Sequence, residues 1–371
     1  MKKILILAGH YLPGHKDGGP LRTLINITEA LSDEYEFYIA CYDRDQGENK
    51  PYSNINYDVW NTVGKAKVWY VPSGKFSKNI ILKLAKGKDM IYMTSFFEEY
   101  GYNTLILRKE HKINLPVAIA SMGVFSKEAM AHKALKKRLF INICKFLGLL
   151  KNVTWSVTSE IEASDAKRIL GNNIKYIVAE DLPRTHIPDR NTHKSSMLRI
   201  VFLSRICEHK NLKVAIDAVD AMKKRDNIEF YMYGPVQEEK YWHECLEKLK
   251  YVGYKWNYGG DIASEKVQEV LSDLDVLILP SKSENYGHVI FEALSVGCIP
   301  IISDRTPWKD IDKRKVGFEV QLSKEAFTEK LDFIAEMPFD EREKISKNAI
   351  CYAKEKVRNS IKNTGYRQIF G

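Results

Sequence analysis

Apolar residues along this chain fall into short runs, separated by stretches in which they recur every three or four positions. Residues 3–8, 36–42, 67–71, 90–93, 117–120 and 153–158 are runs of the kind that fill buried strands. Between them, residues 21–31, 98–110 and 160–170 carry the amphipathic or mixed pattern of helices. The alternation resumes further on, with strands expected at 198–204, 228–233, 276–280 and 299–303. Helices are expected near 211–224, 238–249, 265–271, 288–296 and 324–335. Such alternation implies parallel sheets covered on both faces. Residues 341–370 read as long helical turns broken near 358–360. Residues 181–196 are polar and aperiodic and hold Pro183 and Pro188, which is linker composition. The expected organisation is a first doubly wound domain over 1–180, a linker over 181–197 and a second such domain over 198–350. A C-terminal helix over 351–371 is expected to cross back to the first domain.

A length of 371 residues exceeds one ordinary compact core and agrees with two. Hydrophobic residues at 44% and charged residues at 28% exclude a disordered or fibrous chain. The apolar start stops at Gly9-His10, too short for a secretory core, and reads as a first strand. No apolar run approaches the ~20 residues of a membrane-spanning helix. The six cysteines are scattered without metal-site spacing, as suits reduced thiols in a cytoplasm.

Charge changes the picture. Residues 1–200 hold 30 Lys and Arg against 20 Asp and Glu, and residues 201–371 hold 27 against 28. The basic excess therefore lies wholly in the first half and favours an anionic partner there. Residues 133–151 hold six cations and no acid, with Leu135, Leu139, Ile143, Phe146 and Leu150 at helical spacing. Lys133, Lys136, Lys137 and Arg138 are the cations expected to meet an anionic membrane surface. The alternative is a packed helix with a solvated basic face. No RNA-binding signature accompanies the aromatic residues, so nucleic acid is not an expected partner.

Three short segments carry candidate chemistry. Ser204-Arg205-Ile206-Cys207-Glu208-His209-Lys210-Asn211 joins an expected strand to an expected helix, where Arg205 and Lys210 can converge on one anion. Ser283-Glu284-Asn285-Tyr286-Gly287-His288-Val289-Ile290-Phe291-Glu292 follows another strand. Its two acids, Glu284 and Glu292, flank a glycine where carboxylates can hold sugar hydroxyls while amides face a phosphate. Gly18-Gly19-Pro20 lies between the first strand and the first helix, where glycines allow close backbone approach and proline suits a first helical turn. Read singly, each segment also fits an ordinary turn or surface position.

Together, in this order and spacing, the three resemble the retaining glycosyltransferases of family 4, the large GT-B family once called group 1. The resemblance covers nearly the whole chain and is strongest over 198–304. The ending Ser303-Asp304-Arg305-Thr306-Pro307-Trp308, with Gly287-His288-Val289 upstream, looks like a branch common in bacterial surface-polysaccharide clusters. The resemblance implies a GT-B fold, α/β with two Rossmann-like doubly wound domains facing across a cleft. It implies a nucleotide-sugar donor, a UDP- or GDP-sugar, and a saccharide or lipid-linked acceptor. Arg205 and Lys210 would neutralise the diphosphate leaving group and Glu284 would bind the donor sugar. Glu292 would bind the ribose. The amides of Asn285, Tyr286 and Gly287 would touch phosphate or sugar, and Gly18 and Gly19 would close over the phosphate from the other domain. Where many members carry a His after the fifth strand, this chain reads Ala120-Ser121-Met122-Gly123, so backbone groups at Ser121 to Gly123 would take its place. No catalytic base is assigned.

No cofactor and no metal are expected. The D-x-D pattern of metal-dependent transferases occurs at Asp43, Asp273 and Asp310, and three matches in one chain show how cheap it is. The reading is a metal-independent glycosyltransferase of cell-surface polysaccharide synthesis (lipopolysaccharide, capsule or exopolysaccharide), at the cytoplasmic face of a membrane. The alternatives are a nucleotide-sugar epimerase on the same fold and a catalytically idle partner subunit.

Overall fold

Each apolar run is a strand, to within one residue at either end. The computed structural model describes residues 1–131, 133–188 and 197–371, so residues 189–196 of the expected linker lie outside the described residues. It comprises two units, Met1–Leu182 with Ser360–Gly371, and Pro183–Asn359.

The first unit contains β1 (Lys2–Leu7), α1 (Gly19–Leu31), β2 (Tyr35–Tyr42), β3 (Asn61–Val63), β4 (Ala66–Val71), α2 (Lys78–Ala85) and β5 (Met90–Met93). It continues with α3 (Glu99–Lys109), β6 (Val117–Ala120), α4 (Lys127–Ala131), α5 (Ala134–Phe146), β7 (Val153–Val157), α6 (Glu160–Leu170) and β8 (Lys175–Val178). The sheet runs β3-β4-β2-β1-β5-β6-β7-β8, parallel except for β3 against β4. Strand periodicity sorts β1 between two cores: Ile4 and Ile6 join one, Leu5 and Leu7 the other.

The second unit contains β9 (Leu198–Leu203), α7 (Leu212–Asp220), β10 (Ile228–Tyr233), α8 (Glu239–Leu249), β11 (Lys255–Tyr258), α9 (Val267–Ser272), β12 (Val276–Leu279), α10 (His288–Val296), β13 (Ile299–Ser303), β14 (Phe318–Val320) and α11 (Lys324–Glu336). Its sheet runs β11-β10-β9-β12-β13-β14 and is parallel throughout. α7 stops short of the expected residue 224, where the Lys223 amide turns to Asp332 Oδ1 at 3.0 Å.

The strands that the apolar pattern does not reveal, β3, β8, β11 and β14, are the four sheet edges. An edge strand covered on fewer sides needs no continuous apolar run. The C-terminal tail corrects a second expectation. α12 (Phe339–Lys362) is continuous through 358–360, and the interruption falls at Asn363-Thr364-Gly365 before α13 (Tyr366–Phe370). Arg358 is a good helix former, and Asn359 and Ser360 are mediocre ones but not breakers. Gly365 marks the true interruption, because a side chain there would collide with the Val178 carbonyl. Tyr366 and Phe370 then pack against Tyr92 in the first unit's core.

In each sheet the strand order reverses beside one strand, between β1 and β5 and between β9 and β12. Loops leaving the carboxyl ends there diverge, and such points form crevices in doubly wound sheets. In the second unit the segment after β9 is held open by its neighbour. The Ile206 amide donates to Pro235 O at 2.9 Å and the Gln237 amide to Ile206 O at 3.1 Å. This contact needs Gly234, whose φ is 128° and whose missing side chain would strike the Ser204 carbonyl. Gly234→Ala should therefore lower the urea stability of the protein by about 2–4 kcal/mol. Gly253→Ala should leave it nearly unchanged, since an added Cβ there meets only the Arg225 guanidinium at 3.7 Å or beyond.

Candidate functional site

At the β9/β12 reversal two loops are laced together. The Lys282 amide donates to His209 O at 3.0 Å, and His209 Nε2 lies 3.0 Å from Ser283 O. This lacing brings Lys210 to Glu284, Nζ to Oε1 at 2.6 Å, with both side chains about nine-tenths enclosed. Arg205, on the same loop, is exposed and donates from its guanidinium to Gln237 Oε1 at 2.9 Å. The structure thus separates the environments of the two expected cations. Lys210 is fixed beside a carboxylate, and Arg205 stands at the rim. His209 escaped the sequence reading because its contacts are with a loop more than seventy residues away.

The second loop turns into α10 at Gly287, which adopts φ 78°. The Glu284 amide donates to Arg305 O, and the ring of Tyr286 packs edge-on against Trp308, whose indole N–H donates to Tyr286 O at 2.5 Å. The ring is therefore core, while Asn285 beside it is exposed. Glu292 sits on α10, buried, and Arg184 Nε donates to its Oε1 at 3.2 Å. Arg184 lies in the aperiodic linker, where the sequence gives no signal for it.

The first unit's expected residues are separate elements. Gly18 and Gly19 are exposed at the start of α1, Gly18 with φ 63°, and a Cβ on either would meet open space. Gly123, after β6, has φ 75°, and its amide donates to the Glu162 carboxylate. Ser121 donates its amide and its hydroxyl to Ser156 O. The Ser121 and Gly123 amides thus have partners within the fold. Glu162 also accepts from the Thr158 amide at 2.6 Å and the Thr158 hydroxyl at 3.0 Å. Its sequence signal was Ser159-x-x-Glu162, a capping-box pattern. The Ser159 hydroxyl does accept from the Glu162 amide at 3.2 Å, while the carboxylate is used elsewhere.

On α5 the first four residues of the expected stripe face solvent, while Leu150, beyond the helix, packs against the core. Leu135 is 84% exposed, Leu139 63%, Ile143 46% and Phe146 91%. The core is met instead by Ile141 and Cys144. Lys133, Lys136 and Arg138 are exposed with the stripe. Lys137 is not available in the same way: it is half-buried, and its ammonium donates to Ala129 O at 2.6 Å. Among the described residues no helix is long and apolar enough to cross a membrane.

Five of the six acids of the D-x-D pairs have structural work. Asp43 accepts from Arg44 and the Tyr57 hydroxyl, and Asp45 from the His15 amide. Asp275 accepts from the Arg199 amide, Asp310 from the Tyr352 hydroxyl and Asp312 from the Glu319 amide. Among the described residues no group of three or more His, Cys, Asp or Glu side chains is placed to hold a metal ion.

The second unit matches a known family. Residues 183–351 fit the model of the glycosyl transferases group 1. The sulfoquinovosyl transferase SQD2 of Arabidopsis thaliana is 28% identical over 106 residues, 29% of this chain; the matched stretch spans 19% of that protein's length. Anabaena Alr3699/HepE, crystallised with UDP and glucose, superposes with a TM-score of 0.73 over 98% of both chains at 16% identity. Sucrose-phosphate synthase from Thermosynechococcus elongatus gives 0.71 over 100% of this chain and 96% of that one at 18% identity. These likenesses are of fold. The α/β architecture of two Rossmann-like units is the one shared by GT-B glycosyltransferases.

One buried acid of the first unit has a consequence for stability. Asp181 is partly accessible as a residue, but its carboxyl is enclosed. Burial pushes it up from 3.8 to about 7; the Thr23 hydroxyl, donating at 3.0 Å, opposes the rise, and Glu162 and Glu180 add to it. The folded state thus holds this proton more tightly than the unfolded chain. Its stabilising effect is full below about pH 4 and is lost as pH rises to about 7. Asp181→Asn keeps an acceptor for Thr23 and cannot ionise. In melts at pH 8 it should exceed the wild type by on the order of 1 kcal/mol or more, and the margin should shrink steadily between pH 7 and pH 4.

Proposed function

We propose that this protein is a retaining glycosyltransferase. It moves a sugar from a UDP- or GDP-sugar to a saccharide or lipid-linked saccharide acceptor in the making of a cell-surface polysaccharide. The observation that carries the reading is the enclosed Lys210–Glu284 pair at the β9/β12 reversal, beside the start of α10. It lies inside the region matched by the group 1 model. The crystallisation of Anabaena HepE with UDP and glucose supports a hexosyl donor.

In this mechanism the bond between the anomeric carbon and the diphosphate oxygen breaks, and its electron pair leaves with the diphosphate. Lys210 and Arg205 meet the charge that develops there, where fixed cations in a partly dry site act most strongly. Glu284, held by Lys210, accepts hydroxyls of the departing sugar, and Glu292 accepts those of the ribose. The acceptor hydroxyl enters on the face the leaving group vacates, and its proton passes to the departing phosphate oxygen. No protein nucleophile or metal is assigned. Because Arg205 is exposed, its loss should spare the fold. With EDTA present, the wild type should slowly release nucleotide from one of UDP-glucose, UDP-N-acetylglucosamine or GDP-mannose. Arg205→Ala and Lys210→Ala should each cut that release ~10²–10³-fold. Undiminished release in both would remove the diphosphate assignment. An epimerase would instead yield a second nucleotide-sugar, and an idle subunit would yield nothing.

The enzyme works at the inner face of the membrane, docked through α5, a placement supported by the outward stripe and its exposed cations. Each cation adds about 1 kcal/mol near an anionic surface, and salt weakens it over a Debye length of ~8 Å. The protein should sediment with phosphatidylglycerol vesicles at low salt and not with phosphatidylcholine vesicles. Replacing Lys133, Lys136 and Arg138 together by Gln should release it while leaving nucleotide release intact. Sedimentation of that variant like the wild type would dismiss the docking role.

A further inference from the structure

Glu292 is buried on α10, and a carboxylate there is costly unless a cation meets it. The cation is Arg184, whose side chain is 12% exposed against 5% for Glu292. Its guanidinium makes two bonds in different directions: Nε to Glu292 Oε1 at 3.2 Å, and a terminal nitrogen to Ser264 O at 2.7 Å. Ser264 closes the loop that leaves β11 at the sheet's carboxyl edge. That loop is tied to the next by the Gly234 amide on Gly260 O at 2.8 Å. Arg184 is itself held. Gln268 Nε2 donates to His186 O at 3.1 Å and to Ser295 Oγ at 2.9 Å, fastening the segment after Pro183 to α9 and α10. Ser295 Oγ in turn donates to Glu292 O. A planar fork serves two fixed acceptors at once, which a lysine ammonium on a flexible stem does not.

We infer that Arg184 is a positioning residue of the nucleotide site. It fixes the Glu292 carboxylate for the ribose hydroxyls and, through Ser264, fixes the loop after β11 beside it. The inference rests on the reading of Glu292 as the ribose acid. It adds a residue from outside the motifs, acting through Glu292 and not on the donor directly. Its signature is discrimination between ribose and deoxyribose, since a positioned carboxylate distinguishes a diol from a single hydroxyl.

The test is calorimetric binding of UDP and GDP, each compared with its 2′-deoxy form. The wild type should bind one nucleotide and prefer its ribo form by about tenfold. Arg184→Ala should weaken the ribo form by about tenfold or more while moving the deoxy form little, so that the preference collapses. Arg184→Lys should keep part of it. Glu292→Gln should abolish it, and adding Arg184→Ala to that variant should cost nothing further. If Arg184→Ala does not fold, Arg184→Lys decides: unchanged preference and affinity in that variant overturn the inference. So does equal weakening of both forms in either Arg184 variant, or a preference that survives Arg184→Ala. A wild type that binds neither nucleotide defeats the nucleotide-sugar reading itself, and with it this one.

Discussion

A carboxylate shut away from water has to be met by a cation, and the second unit is arranged around two that are. Glu284 is met by Lys210 and Glu292 by Arg184. Neither pair is local in sequence. The first exists because the parallel sheet brings distant loops to one edge, through the pairing of β9 with β12 and the lacing of His209 onto Ser283, and the second because Gln268 fastens the segment after Pro183 to α9 and α10. Isolated, such pairs contribute little to stability, because desolvation offsets most of their attraction. Their value lies in orientation. A carboxylate held by a cation keeps one direction. Lys210, held by a carboxylate, is likewise fixed in one place.

The strand framework was legible because buried parallel strands must be apolar over their whole length. The central strands β1, β5, β9 and β12 consequently announce themselves as runs. The edges did not, since β8 and β11 are mostly half-exposed or exposed and carry mixed residues. The site followed the same division. Arg205, Lys210, Glu284 and Glu292 lie at fixed offsets from strongly marked strands and could be found by spacing. Arg184 lies in a stretch without periodicity and is located only by what it touches. His209 is surrounded by the very motif that was read, yet its function as a tie between loops depends on tertiary contact.

In the first unit a local pattern shows the backbone but not its partners. Glycine at 123 does signal an unusual backbone, and the structure has it, with positive φ at both Met122 and Gly123. What the pattern does not show is that a buried acid, Glu162, reaches across from α6 and accepts from the Gly123 amide. In the left-handed region Met122 is strained while Gly123 is not, and such a conformation persists where the surroundings hold the turn and satisfy its polar groups. Glu162 supplies that satisfaction, together with its bonds to Thr158. The turn is thus a rigid platform fixed from beneath.

The helix α5 shows why spacing alone could not choose between core and membrane. It carries two apolar stripes. Ile141 and Cys144 are a turn apart and are buried. Leu135, Leu139, Ile143 and Phe146 recur at the same helical interval on another side and are exposed. Periodicity reports that both stripes exist and says nothing of which one the protein covers. Burial decides it, and the larger stripe is left outside. Each such side chain forgoes about 1.5–3 kcal/mol that burial would yield. An exposed row of this size, bordered by Lys133, Lys136 and Arg138, is unusual on a protein that meets only water. Apolar insertion and electrostatic attraction are each modest here. Acting on one short helix they add, which is the physical basis of the proposed reversible docking on an anionic membrane.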